Sequence, residues 1–184
     1  MKAFHCNPST SKVALQHFEK TSGYRLPQDY AEFLERANGG EGYLNPNQYA
    51  ILWRVEDLAK LNEAYLTRKY VPGLLFFGSN GGGEAFAFDQ RSNSSPVVRV
   101  PFVGMDLGLA EVVAQSFTEL IREALLDWPS GTGEGSPGLE VFEIQPIILG
   151  GSPTDASNKV ALTRDKHIEA VRYWNKLIGD LHRR

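Results

Sequence analysis

Carboxylates are the side chains with chemical potential that this sequence places beside its turns. Glu41 follows Asn38-Gly39-Gly40, the Glu56-Asp57 pair follows Leu52-Trp53, and Glu84 and Asp89 bracket an apolar run just after Gly82-Gly83. Two carboxylates held close together can exchange protons with a substrate or share a divalent cation. Nothing in the spacing brings any two of these acids to that geometry, so each reads as a solvated surface acid. The stretch Gly78-Ser79-Asn80-Gly81-Gly82-Gly83-Glu84 invites comparison with a phosphate cradle. A cradle aims backbone N–H groups at the anion, usually with a helix N-terminus behind them. Here the residues that follow alternate like a strand, and no Lys-Ser/Thr pair closes the loop. Glycine at this place therefore reads as a sharp turn or bulge between strands, with little side-chain bulk to keep a partner's backbone away.

Other reactive groups are isolated. The four histidines, His5, His17, His167 and His182, show none of the short spacings of a zinc site. Cys6 is the one thiol; it has no motif that would make it a nucleophile, and alone it forms no internal disulfide. No Gly-x-Ser-x-Gly elbow occurs. The expectation is therefore a protein without catalytic residues, metal or cofactor.

Length and composition bound the class of protein. At 184 residues the chain suits one domain with an appendage. A net charge of -3, with His182-Arg183-Arg184 the one basic cluster, argues against direct nucleic-acid binding. The first residues turn polar before any apolar core of leader length, no stretch approaches a membrane span, and a lone cysteine suits a reducing compartment. A cytoplasmic location is expected, with no membrane partner.

The elements that would position the acids follow from periodicity. Ser9 or Thr10 can cap a first helix running to about Thr21 with Val13, Ala14, His17 and Phe18 on one stripe. Leu26-Pro27 opens a second helix with Tyr30, Phe33 and Leu34 buried, and Asn38-Gly39-Gly40 stops it. Tyr49–Val55 reads as a strand with Trp53 its anchor, and Glu56 to Tyr65 as a third helix. The continuous apolar run 74–78 predicts a strand buried on both faces; 85–89 and 97–102 return beside it as an antiparallel meander. Ser116-Phe117-Thr118-Glu119 is a capping box, in which Glu119 should reach back to the Ser116 N–H. Its helix carries Phe117, Leu120, Ile121, Ala124 and Leu125 on one stripe. Residues 128–138, rich in Gly, Ser and Pro, read as a linker. Beyond it, 139–149 holds a strand, and a last helix from about Thr163 places His167 or Ile168, Val171, Trp174, Leu177, Ile178 and Leu181 on one face, with Trp174 as anchor. The expected division is a domain over 1–127, the linker, and a tail over 139–184 that packs back on the core.

The motifs in series resemble a known family. Phe18-Glu19, Gly23, Leu26-Pro27, Tyr30, Phe33-Leu34, Asn38-Gly39-Gly40-Glu41, Leu52-Trp53, Glu56-Asp57-Leu58, Asn62, Phe77-Gly78-Ser79, Gly82-Gly83-Glu84, Phe86-Ala87-Phe88-Asp89 and Ser116-Phe117 stand in the order of the SUKH superfamily. The nearest branch is the one named for fungal regulators of cell-wall assembly and killer-toxin resistance. The resemblance covers roughly residues 9 to 127. It implies an α+β fold with a curved, mostly antiparallel sheet flanked by helices, followed here by a tail ending in an amphipathic helix. It also implies a bacterial immunity protein that binds and neutralises a toxin domain, often a nuclease; an intracellular regulatory or scaffold protein is the alternative. On that reading Glu41, Glu56, Asp57, Gly82, Gly83, Glu84 and Asp89 are the partner-binding candidates, the acids imitating phosphates toward a basic cleft.

The tail carries a second likeness. Gln145-Pro146, Gly150-Gly151, Asn158, Leu162 and His167 are spaced like the ββα-metal motif of HNH nucleases. That motif needs Asp-His or His-His just ahead of the proline to bind metal and activate water, and this chain has Glu143-Ile144 there. The expectation is a packing tail.

Overall fold

The computed structural model describes residues 4–45, 48–126 and 139–181. The expected linker over 128–138 and the cluster His182-Arg183-Arg184 lie outside these residues. Seven strands form one open sheet: β1 (His5–Cys6), β2 (Gly40–Asn45), β3 (Gln48–Leu52), β4 (Leu74–Ser79), β5 (Glu84–Asp89), β6 (Val97–Pro101) and β7 (Glu111–Ala114). They lie side by side in chain order, and every pairing is antiparallel. Helices α1 (Lys12–Ser22), α2 (Gln28–Leu34), α3 (Val55–Ala64), α4 (Thr67–Tyr70) and α5 (Phe117–Leu126) flank it. A hairpin, β8 (Leu139–Glu143) with β9 (Lys159–Thr163), leads into the long helix α6 (Arg164–Leu181). This is the expected α+β class with an antiparallel sheet and a closing amphipathic helix.

Every residue of β4 is buried, as a continuous apolar run requires of a strand covered on both sides. The two sides hold separate aromatic clusters. On one, Phe77 stacks on Phe88 at 4.3 Å and meets Tyr30 and Phe117, which α2 and α5 supply. On the other, Tyr65 at the end of α3 meets Phe102 at 4.6 Å and stacks on Trp53. Asparagines tie these layers together. Beyond the end of β3, Phe76 of β4 pairs with Ala87 of β5 but has no strand on its other side, and the amide of Asn62 replaces one: Oδ1 accepts from the Phe76 N–H at 2.9 Å and Nδ2 donates to its carbonyl at 2.7 Å. Asn38 accepts from the Val55 N–H and donates to Glu56, fixing the start of α3. Gly39 beside it is in the left-handed region at φ +77°, and a Cβ there would fall on the Leu52 carbonyl oxygen. The glycine thus allows a close approach of backbones; it does not stop the helix, since α2 ends earlier, at Leu34.

Several local expectations change. The cap of α1 is Ser11, whose hydroxyl accepts from the Ala14 N–H at 3.2 Å. That starts the helix later; Leu15 and Phe18 face inward, while Val13 is 74% exposed. Trp53 lies past the end of β3, and Val55 belongs to α3. The Ser116 hydroxyl does accept from the Glu119 N–H, but the Glu119 carboxylate accepts from Gln115, one residue earlier than a simple capping box. Asp29 of α2 also accepts from the Thr118 N–H, so two helices share one cap. Phe117, Leu120 and Ile121 are buried; the side chains of Ala124 and Leu125 lie outside those described. In α6 the buried residues are His167, Val171, Asn175 and Ile178; Trp174 is only partly covered and Leu181 is exposed.

Candidate functional site

The glycine loop between β4 and β5 is organised by Asn80. Its Oδ1 accepts from the N–H groups of Gly82 and Glu84 at 2.8 and 3.1 Å, its Nδ2 donates to the Glu84 carboxylate at 2.6 Å, and the Ser79 hydroxyl accepts from Gly81. A phosphate cradle needs those N–H groups free and convergent; here they point inward to neighbouring side chains. The loop's carbonyls face outward and are also engaged. Gly83 accepts from Phe102 just past the end of β6, and Gly81 accepts from Val141 of β8, both at 2.9 Å. The backbone that approaches this glycine turn is the chain's own tail.

That contact shapes a cavity of about 610 Å³. Gly82, Gly83 and Glu84 form one wall. Phe102 and Phe142 lie deep in it, and Leu109, Ile147 and Ile148 form an exposed aliphatic lip. Lys159 and Glu143 complete the rim. Its depth includes His167, fully buried, whose Nδ1 is 3.0 Å from the Tyr65 hydroxyl and whose Nε2 has no partner. Beneath lies Glu140, also fully buried, with Arg164 at 3.4 Å and His167 at 4.0 Å, while the Arg164 guanidinium sits over Trp53. Burial pushes the His167 pKa down and Arg164 adds to this, outweighing the pull of Glu140. Asn175 clamps the adjoining wall: Nδ2 donates to the Phe102 carbonyl at 2.7 Å and Oδ1 accepts from the Gly104 N–H at 2.6 Å.

The seven residues singled out in the sequence do not form one cluster. Gly82, Gly83 and Glu84 meet at the cavity. Burial, with Glu111 and Glu143 contributing, holds the Glu84 carboxyl above its ordinary value despite Arg99 at 3.2 Å and the Asn80 amide. Asp89 lies at the far end of β5, about 17 Å away at the rise of an extended strand. There Arg91 grips it with two hydrogen bonds from its guanidinium and a third from its backbone N–H, which, together with the Arg91 charge, hold its pKa low against burial. Glu56 and Asp57 occupy the first turn of α3, where a helix favours negative charge. Desolvation raises Glu56, but hydrogen bonds from Asn38, its own N–H and Thr10, with the Arg54 charge, bring it below the usual range. Glu41 sits in β2 opposite Ile51 and His5. Cys6 pairs with Gly40 in the edge strand. Among the described residues no group of three His, Cys, Asp or Glu could hold a metal ion, and no helix is long and apolar enough to cross a membrane.

The nuclease-like spacing of the tail has a structural use. Asn158 accepts from the Gln145 N–H at 2.8 Å and donates to the carbonyls of Gln145 and Ser152, clasping the 145–152 loop onto the hairpin. Gly151 lies under the Gln145 carbonyl, where a Cβ would collide. A ββα unit therefore exists, with His167 turned to Tyr65. Sequence reasoning missed Asn62, Asn175, Glu140 and Tyr65 as site-builders. Of these, Glu140 could have been found: it alternates inward with Phe142 along β8, an acid on an otherwise apolar face.

Compared with protein-family models, the chain matches the SMI1 / KNR4 family (SUKH-1) over residues 9–123, which span α1 to most of α5; the ββα unit lies beyond the match. No curated protein matches it.

Proposed function

The chain belongs to the SMI1 / KNR4 family (SUKH-1), and from that premise we propose that it is a non-catalytic protein-binding module that acts as an immunity protein, occluding a toxin domain such as a nuclease. Family membership over most of the chain is the observation that carries the reading. Two features of the site support it. The reactive-looking groups of the sequence are committed to structure: the loop N–H groups to Asn80 and Ser79, Asn158 to its loop, and His167 Nδ1 to Tyr65. The charged groups around the cavity carry a slight acidic excess, with Glu84, Glu111 and Glu143 near one another against Arg99, which pairs with Glu84 and Glu111, and Lys159; such a surface attracts a basic partner.

The test is co-expression with any candidate toxin domain encoded next to this chain. Relief of toxicity, together with a complex that co-purifies, is the expected result. If toxicity is unrelieved and no complex forms, the immunity reading fails. Divalent-metal-dependent cleavage of DNA by the purified protein, lost in His167→Ala, would overturn the non-catalytic assignment.

A further inference from the structure

We propose that the cavity between the glycine loop and the ββα unit is an anchor pocket for a protein segment that presents an apolar side chain beside a basic residue. This rests on the protein-binding reading and adds the surface used and the chemistry recognised. At about 610 Å³ the cavity falls within the size that takes a ligand group, roughly 300–1,000 Å³. Leu109, Ile147 and Ile148 stand 47%, 53% and 52% exposed around its opening. Large aliphatic side chains gathered at a concave opening and bordered by charges mark an interaction site.

His167 supplies the polar contact. It is fully buried and belongs to the cavity's lining, and its Nε2 has no partner. The Tyr65 hydroxyl and Nδ1 share one hydrogen bond. If the phenol donates it, no phenolic proton is stranded, and Nε2 carries the imidazole hydrogen. An unsatisfied buried donor costs about 1–3 kcal/mol, and a carbonyl oxygen entering with the anchor satisfies it. The rim fixes the charge of what comes with that carbonyl. Glu84 and Glu143 line the opening with Lys159, and Arg99 bridges Glu84 to Glu111 at 3.2 and 3.3 Å, which leaves these three carboxylates facing two cations. A cation arriving here balances the remaining negative charge, whereas a phosphate would meet it with the Gly81, Gly82 and Glu84 N–H groups already occupied.

Burying one leucine-sized side chain is worth about 1.5–3 kcal/mol, so a dipeptide should bind in the millimolar range. The experiment titrates the full chain, isotope-labelled, with acetyl-leucyl-lysine amide, following the Gly83 amide and the His167 imidazole by NMR. Both signals should shift along one saturable curve. Replacing leucine by serine in the peptide should weaken binding about tenfold or more, the equivalent of 1.4 kcal/mol; replacing lysine by glutamate should weaken it several-fold. Ile148→Ser, at an exposed position that leaves the core intact, should weaken the leucyl peptide about tenfold while the remaining spectrum is unchanged. No shift at Gly83 and His167, an equal response to all three peptides, or indifference to Ile148→Ser would each overturn the proposal. Displacement of the peptide by a short oligonucleotide would overturn it also. A toxin domain that binds equally well to the Ile148→Ser and Glu84→Gln variants would sink the pocket while leaving the protein-binding function standing. Peptide binding by a chain that neutralises no toxin would support the pocket and refute the immunity role.

Discussion

Replacing Asn175 with alanine should loosen the tail from the sheet, and the structure sets the size of the effect. The side chain is 4% exposed and satisfies two backbone groups of the segment that follows β6. The Phe102 carbonyl is buried, so stranding it costs about 1–3 kcal/mol. The Gly104 N–H is only partly buried and recovers some hydration, so its loss costs about 0.5–1.5 kcal/mol. Alanine returns up to about 0.7 kcal/mol through its better helix propensity. The net expectation is a loss of about 1–4 kcal/mol. Urea unfolding measures it as a lowered midpoint; with a slope near 2 kcal/mol per molar, the shift is about 0.5–2 M. Hydrogen exchange localises it, because the Gly104 amide should lose protection while amides in β4 and β5 keep theirs. A midpoint within about 0.2 M of the parent, with Gly104 still protected, would refute the reasoning.

Asn62→Ala strands the N–H and carbonyl of Phe76 where no strand can replace them, and should cost about 2–5 kcal/mol by urea unfolding, with faster exchange of the Phe76 amide. The lowered pKa of His167 means that the unfolded chain binds its proton first. Stability from this group is therefore full above about pH 6.5 and lost as pH falls from there to the folded-state value; unfolding midpoints measured from pH 7 to 5 should fall less in His167→Gln than in the parent. Gly39→Ala forces a side chain into the left-handed region and onto the Leu52 carbonyl, and should cost about 2 kcal/mol or more, read as a thermal midpoint lowered by about 4–8 °C.

Much of the fold was legible because it is local. The β4–β6 meander showed as an apolar run and alternating returns, and α2 and α5 showed as stripes opened by Pro27 and Ser116. What stayed hidden depends on contacts distant in sequence. β2 and β7 lack a strong strand signature: one begins Gly-Glu-Gly, the other exposes Glu111 and Val112, and both are strands because a neighbour pairs with them. Leu15 takes the place of Val13 because the buried arc of α1 centres between Leu15 and Phe18, which stand three residues and about 60° apart, and Val13 lies on the opposite side of the helix at about 100° per residue. The site was less legible still. Gly82, Gly83 and Glu84 mark one wall of the cavity, but the opposite wall comes from the tail, some sixty residues on. Asn175 and Asn62 look like ordinary polar helix residues until the backbone groups they serve are in view. Trp174, the largest residue of the expected stripe, yielded its place to Asn175 and His167 because the segment after β6 and Tyr65 at the end of α3 present hydrogen-bonding groups to that face of α6.

The sheet's strand order bears on how the molecule forms. Seven strands paired in chain order require only closures between consecutive strands, and short closures are entropically cheap and fast. A chain emerging from the ribosome can therefore assemble the sheet before its last segment exists. The Gly81–Val141 and Tyr65–His167 contacts, by contrast, join residues sixty and one hundred two positions apart. Until they form, Phe102 lacks its cover and the pocket lacks a wall, so binding competence should appear as a late kinetic phase, after the sheet's own amides are protected.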